Sequence, residues 1–369
     1  MKNIAIIGAS YLQLPLIEKA KKMGYITHVF AWKSNDVGEK AADFFYPISI
    51  IEKDEILDIC KRIGICGICS IASDLAVITV NYVAENMGLN GNTMHSAMMC
   101  TNKYLMREAF RNNGDPSPRS YLVRQKLNLK ILNLKYPVII KPTDRSGSRG
   151  IYKVDFAKDI NDAILCARNE SFERKALVEE FIDGKEYSVE YISYQGKHYF
   201  LAVTEKYTTG APHFIETGHL EPASIDNEIL KKIKTVIVHA LDTLEIRNGA
   251  SHSEIKIDTN GNIFIIEIGA RMGGDCIGSD LVKYSTGYDF VKMVIQVACG
   301  EAPDFTKVCK PEKVEVKFIF NEKDIKELEI LKEKFPELLI KVVNYQPDNI
   351  GNITDSSNRA GCYIKRCIR

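Results

Sequence analysis

The stretch "GASHSEIKIDTNGNIFIIEIGARMGGD", residues 249–275, constrains the chain more than any other. Two apolar, strand-like runs flank Asn260-Gly261, the strongest short-range signal for a β-hairpin. Each run carries one acid, Glu254 in the first and Glu267 in the second. Strands of this composition are half or fully buried, and a buried carboxylate is costly unless it is paired or bound to a metal. Two carboxylates on facing strands cannot both stay ionised without a counter-charge. They share a proton or hold a cation between them.

Magnesium is a cation of the right kind, because it takes a few carboxylates together with substrate phosphate oxygens. Groups suited to phosphate lie upstream. Lys141 ends the apolar strand "PVIIKP", where a lone buried ammonium is unreasonable. The loop "SGSRG" follows; its glycines, among them Gly147, leave backbone N–H groups open to an anion, and Ser146, Ser148 and Arg149 add donors. Lys103 begins a helix just before this segment. Taken singly, Lys141 is an ordinary strand-end lysine and "SGSRG" a plain turn. Taken together, two lysines, an anion loop and two metal-type carboxylates describe an ATP site.

Composition excludes several other classes. Hydrophobic residues make up 45% and charged residues 26% of 369 positions, as in a globular enzyme of two or three subdomains. The net charge of +1 gives no electrostatic case for nucleic acid or a membrane surface. "MKNIAIIGAS" reads as a first strand rather than a signal peptide, and no stretch is long and apolar enough to span a bilayer. Ten scattered cysteines point to reduced thiols and a cytoplasmic location. Cys66 and Cys69 form a C-x-x-C without a second ligand pair, so they are expected to be buried structural thiols rather than a zinc site.

Residues 1–92 alternate strand and helix signals, which predicts a doubly wound parallel sheet. The first turn, "GASYLQ", lacks the full dinucleotide fingerprint G-x-G-x-x-G. From Thr93 onward the pattern turns to α+β. "AMMCTNKYLMREAFRNNG" reads as a helix, and "FERKALVEEFIDGKEYSVEYIS" as two strands around a turn at Asp183-Gly184. "GKHYFLAVTEKYTT" continues the antiparallel theme, and the helix "DNEILKKIKTVIVHALDTLEI" precedes the hairpin. "DIKELEILKEKFPELL" is an amphipathic helix that packs.

The ordered set "TNKYLMREAF", "VIIKPTDRSGSRG", "ALVEEFIDGKEYSVE", "HSEIKI" and "FIIEIGARMGG" resembles the ATP-grasp superfamily over essentially the whole length. "RAGCYI" is similar to the last strand region of its biotin carboxylase-like branch. The resemblance implies a multidomain α/β and α+β chain. A pre-ATP-grasp domain would span 1–92 and the ATP-grasp domain 93–300, with a lid at about 117–180; a C-terminal extension over 301–369 would pack on the ATP-grasp domain. It implies that Lys103, Lys141 and the Ser146–Gly147–Ser148 lid contact ATP phosphates. Glu179 would accept from the adenine amino group, with Glu180, Phe181 and Ile182 forming the hinge beside it. Glu186 would hold the ribose, Glu254 and Glu267 would hold magnesium (manganese being the alternative ion), and Arg271 would steady the acyl-phosphate. Gly269 stands where many members have an asparagine metal ligand.

"GAPHFIETGHLEPAS" resembles L-amino-acid ligases. On that likeness His219 lies near the reacting carbonyl, and His213, Glu216, Gly273 and Gly274 contact substrate. The implied activity is an ATP-dependent carboxylate–amine ligase acting on small molecules, amino acids foremost, through an acyl-phosphate; homodimers are common in the family. Two alternatives stand beside it. One is an ATP-grasp reaction through carboxyphosphate or formyl phosphate, and the other is a catalytically silent ATP-binding module.

Overall fold

The computed structural model describes residues 2–124, 134–211, 214–350 and 359–367. At the N-terminus, a four-stranded parallel sheet runs in the order Phe44–Tyr46, Ile26–Phe30, Asn3–Ile7, Gly67–Cys69. Three of these strands were legible as apolar runs; the short edge strand Phe44–Tyr46 was not. One face of the sheet has a core of its own, with Ala5, Ile7, Phe30, Ile56 and Ile68, and the other face is shared. Ile4, Leu16 and Val29 share one buried cluster with Phe290 and Val294 of the late helix Phe290–Ala298, so the division near residue 92 is not a break in packing.

The helical stretch after Thr93 splits in two, Met94–Thr101 and Lys103–Asn113. Asn102 is the cause. It leaves the helical region and its side chain accepts from the N–H groups of Tyr104 and Leu105, so that Lys103 becomes the first residue of the second helix. The Lys103 N–H donates to the Thr143 carbonyl at 2.8 Å, which ties that helix to the end of the strand carrying Lys141.

A small four-stranded antiparallel sheet, ordered Ser120–Val123, Ala176–Glu180, Val138–Pro142, Tyr152–Val154, is backed by the helix Ile160–Glu170. The main sheet has eight strands in the order Ile263–Gly269, Gly249–Ile257, Lys185–Tyr194, Lys197–Thr208, Glu216–Glu221, Val314–Phe318, Cys362–Arg366, Leu339–Val343. Its neighbours are antiparallel. The C-terminal extension therefore does more than pack on the sheet: its strands continue the ladder from Glu216–Glu221. In the hairpin, Glu254 lies opposite Glu267, and the register shifts just beyond, between Glu254 and Ile255. The turn is closed by Asp258, whose carboxylate accepts from the N–H groups of Asn260 and Asn262, with Gly261 at φ 76°.

All ten cysteines are free; Cys69 is buried, whereas Cys66 is only partly so and lies 3.7 Å from Cys299 between sulfurs. No helix among the described residues is long and apolar enough to cross a membrane.

Candidate functional site

The lid sheet and the main sheet face each other across a cleft. Lys103, Lys141, Ser146, Gly147, Ser148, Glu179, Glu180, Phe181, Ile182, Glu186, Glu216, Glu254, Glu267 and Arg271 all line it. One end is apolar, with Ile139, Ile151, Phe181, Ile182, Phe214 and Ile266. Lys153 and Lys256 sit over the Phe181 ring, at 4.9 and 5.3 Å from its centroid.

The charged groups are paired throughout. Lys141 reaches Glu179 at 2.6 Å, and both side chains are almost fully buried, 4% and 3% exposed. Arg107 holds the same carboxylate: its Nη2 donates to Oε2 at 3.3 Å, and its Nε lies 2.9 Å from Oε1 as an ion pair. Burial works to raise the Glu179 carboxyl, but Arg107 and then Lys141 override it and hold the group below its usual range. Besides the acceptor role expected of it, the Glu179 carboxylate fixes Lys141 in place. Burial lowers the Lys141 ammonium, with Glu179 opposing.

The two hairpin acids each meet a lysine rather than each other. Lys103 donates to Glu267 at 2.6 Å and to the Arg145 carbonyl at 2.8 Å. Lys206, which no sequence signal singled out, is buried where three acids converge: Glu254 at 2.6 Å, Glu186 at 3.2 Å and Glu216 at 3.6 Å. Burial lowers the Lys206 ammonium, yet Glu254 and Glu186 raise it well above its ordinary value. Glu254 is correspondingly held well below its ordinary range by Lys206, against burial.

Glu254 and Glu267 keep 26% and 23% side-chain exposure toward the cleft, and hard oxygen donors of this kind suit magnesium. Among the described residues no group of three or more His, Cys, Asp or Glu side chains is arranged to hold a metal. An ion here would complete its shell with phosphate oxygens and water. The lid loop turns back over this end with Gly147, Ser148 and Gly150 all at positive φ, 69°, 59° and 71°. Ser148 tolerates that strained conformation while its hydroxyl donates to the Phe214 carbonyl at 3.4 Å.

A second chamber of about 1200 Å³ adjoins the first and shares Asp74, Lys206, Glu216, Glu254 and Arg271 with it. Ser10, Tyr11, His219, Gly274, Asp275 and Arg359 line only this chamber. His219 is fully buried, edge-on to Phe318 at 5.3 Å, with neither ring nitrogen hydrogen-bonded among the described residues. Burial, then Lys206, pushes its pKa down to about 3, so it is a neutral imidazole. His252 lines both chambers, and its Nδ1 pairs with the buried Glu190. Burial lowers His252, but Glu190 outweighs it and brings the pKa up to about 9.

Gly273 lines neither chamber: its N–H donates to Glu190 at 3.2 Å, and a Cβ there would come within 2.7 Å of His252. It makes room for that pair rather than touching the cleft. Gly274 does line the second chamber, against Ala72. His213 lies outside the described residues.

Two Arg–Asp pairs escaped the sequence reading. Arg271, expected to face a substrate carboxylate, is held by Asp74 of the N-terminal domain, Nε to Oδ1 at 2.8 Å and Nη2 to Oδ2 at 3.0 Å. Arg359 of the C-terminal extension binds both oxygens of Asp275 at 2.8 Å and stacks on Phe318, 3.7 Å from its centroid.

The chain is similar to known proteins in sequence and fold. Residues 134–280 match the model of the ATP-grasp domain. The chain is 27% identical over 302 residues to an alanine–anticapsin ligase of Bacillus subtilis (strain 168), which covers 72% of this chain and 63% of that protein. It is 30% identical over 223 residues to dapdiamide A synthase of Enterobacter agglomerans, over 57% of this chain and 50% of that one. The chain thus spans less than two thirds of the length of these curated relatives. Among solved structures, the L-amino acid ligase of Bacillus licheniformis superposes with a TM-score of 0.82 at 23% identity, over 99% of this chain and 93% of that one. Phosphoribosylglycinamide synthetase of Anaerococcus prevotii gives 0.78 at 24%, over 99% and 94%. At such identities the structural likeness speaks to the fold: the chain has the ATP-grasp fold, with residues 134–280 similar to the ATP-grasp domain.

Proposed function

We propose that the protein is an ATP-dependent carboxylate–amine ligase. The observation that carries this reading is the convergence, in one cleft, of Lys103, Lys141, the 146–148 loop, the facing Glu254 and Glu267, and Arg271. Adenine would sit at the apolar end beside Phe181 and Ile182, and the phosphates between the lysines and the lid loop. Glu254 and Glu267 would hold magnesium, which when bound neutralises charge that builds on the transferring phosphoryl group.

A carboxylate oxygen of one substrate bonds to the γ-phosphorus while the bond to ADP breaks. The amine nitrogen of the second substrate then bonds to the acyl carbon; phosphate leaves and the amine gives up a proton. Arg271 offers a planar donor fork that fits a carboxylate or an acyl-phosphate. The lid loop excludes water, which would hydrolyse the mixed anhydride. His219, being neutral, can donate or accept without bringing charge to the reacting carbonyl. Amino acids are the substrates this reading favours, because the ligases named above are the relatives that match, and the second chamber offers both acids and arginines. Ten free thiols suit a reducing compartment, the cytoplasm.

Release of ADP measured across amino-acid pairs, bicarbonate and formate tests the reading. ADP release that needs both a carboxylate and an amine is expected. Turnover with bicarbonate or formate alone, or none with any acid, would replace it with one of the two alternatives.

A further inference from the structure

Resting on the ligase reading, we propose that Asp74 is a positioning residue for Arg271, and that Gly269 is glycine to leave space for this pair. Asp74 opens the helix Asp74–Met87 of the N-terminal domain, capped by the Ser73 hydroxyl accepting from the Ala76 N–H. It reaches across to the floor of the ATP-grasp sheet and lines both chambers with Arg271.

The contact is bidentate and one-sided. Asp74 takes Nε and Nη2 of the guanidinium, while Nη1 makes no hydrogen bond among the described residues. Both side chains are 17% exposed, so the pair sits in the cleft wall rather than in bulk solvent. Held by one edge, the guanidinium cannot swing, and the Nη1 side is the part left to a substrate. A fixed fork loses less freedom on binding than a mobile one, which is how a positioning contact contributes to rate.

The neighbouring glycine supports the same assignment independently. A Cβ on Gly269 would lie 3.0 Å from Asp74 Oδ1 and 3.3 Å from both Cζ and Nε of Arg271. Any side chain there pushes on both partners at once. An asparagine at this position would crowd the Asp74–Arg271 pair, which would have to give by a few tenths of an ångström. Burial works to raise the Asp74 carboxyl, and the Arg271 guanidinium overrides it, so the group stays ionised.

Three variants test the proposal: Asp74→Asn, Asp74→Ala and Gly269→Ala. ATP affinity by calorimetry, melting temperature, and kcat and KM for product formation are measured on each. Asp74→Asn should lower kcat about tenfold or more and raise KM for the carboxylate, with ATP affinity within a few-fold of wild type. Gly269→Ala should reproduce much of that loss. Placed in the Asp74→Ala background, where the added methyl meets no carboxylate, it should add little, so the two losses are non-additive. Additive losses, an equal loss in ATP binding, or unchanged ligation by Asp74→Asn would overturn the assignment. The Arg271 Nε–H signal in a nitrogen-15 spectrum reads the pair without turnover. It should be protected from exchange in the ligand-free protein and exposed in Asp74→Ala; exposure in the wild type also overturns it. A wild-type protein that ligates nothing defeats the ligase reading, while this signal still decides the pair.

Discussion

At the nucleotide end of the cleft lysines sit against carboxylates: Lys103 with Glu267, Lys141 with Glu179, which Arg107 also holds, and Lys206 with Glu254, Glu186 and Glu216. At the far end are arginines, each holding both oxygens of one aspartate from a distant part of the chain: Arg271 through Nε and Nη2 to Asp74, Arg359 through Nη2 to Asp275. An ammonium is a compact point charge on a flexible stem and can trade one oxygen for another. A guanidinium is a planar fork that gives direction. On the ligase reading, the lysine end suits an exchange of partners when phosphates and a metal arrive, and the arginine end holds a shape. Four perturbations would break or sharpen that contrast.

The largest effect is expected at the metal-type acids. Glu267→Gln should keep the fold but cut turnover by about a thousandfold, the several kcal/mol that a metal's charge supplies. A folded variant with near-wild-type ADP release would show that the carboxylate serves only Lys103. Next is Arg271→Ala. It removes a charge-assisted contact made mainly in the transition state, at about 2–4 kcal/mol or roughly a hundredfold in ligation rate. Calorimetry should find ATP affinity little changed; matched losses would move Arg271 to the nucleotide end.

Lys141→Ala comes third. Arg107 remains to neutralise Glu179, so the fold should survive with a lower melting temperature. ATP should bind about tenfold more weakly, and the upward melting shift with ATP and magnesium should shrink accordingly. An undiminished shift would take Lys141 out of the nucleotide site.

The smallest effect concerns pH. His219 has a folded pKa of about 3, well below the ordinary histidine value near 6.5. In the window between these values the unfolded chain binds the proton and the folded one does not. The stability this group contributes is therefore complete above about pH 6.5 and is lost as pH falls toward 3. Lys206, Glu216, Arg359 and His252 set its field, Glu216 alone favouring protonation. His219→Phe should flatten part of the slope of melting temperature against pH in that window. An unchanged slope would assign all of it to the depressed carboxylates Asp74, Glu179 and Glu254, whose protonation acts in the same direction.

Local chemistry was legible in the sequence. Asn260-Gly261 and two alternating runs predicted the hairpin, and the hairpin placed Glu254 opposite Glu267. Lys103 at a helix start, Lys141 at a strand end and the 146–148 loop also read directly, because each depends on a few adjacent residues. What could not be read is the set of partners. Asp74 lies 197 residues before Arg271, and nothing in "SIASDLAV" distinguishes it from an ordinary first-turn acid. Lys206 sits in an alternating strand like any outward-facing lysine; only the closed sheet turns it inward to three acids. The counter-charge for the hairpin carboxylates was correctly demanded by electrostatics, but its source in two lysines belongs to tertiary structure. The single helix expected through residue 102 failed for a local reason that was visible in hindsight, since asparagine favours capping over helix interiors.

The main sheet is completed by strands that the ribosome makes long after its first ones. Glu216–Glu221 leaves one edge unpaired until Val314–Phe318 emerges, and that strand in turn waits for Cys362–Arg366. At ordinary rates of synthesis the first delay is on the order of ten seconds. During this time a nascent chain already holding both hairpin acids presents an open β-edge, the kind of template on which chains associate wrongly. Birth of the cleft is then governed by the tail: a ribosome stalled after residue 300 would display the nucleotide-side residues on a sheet that is still unfinished.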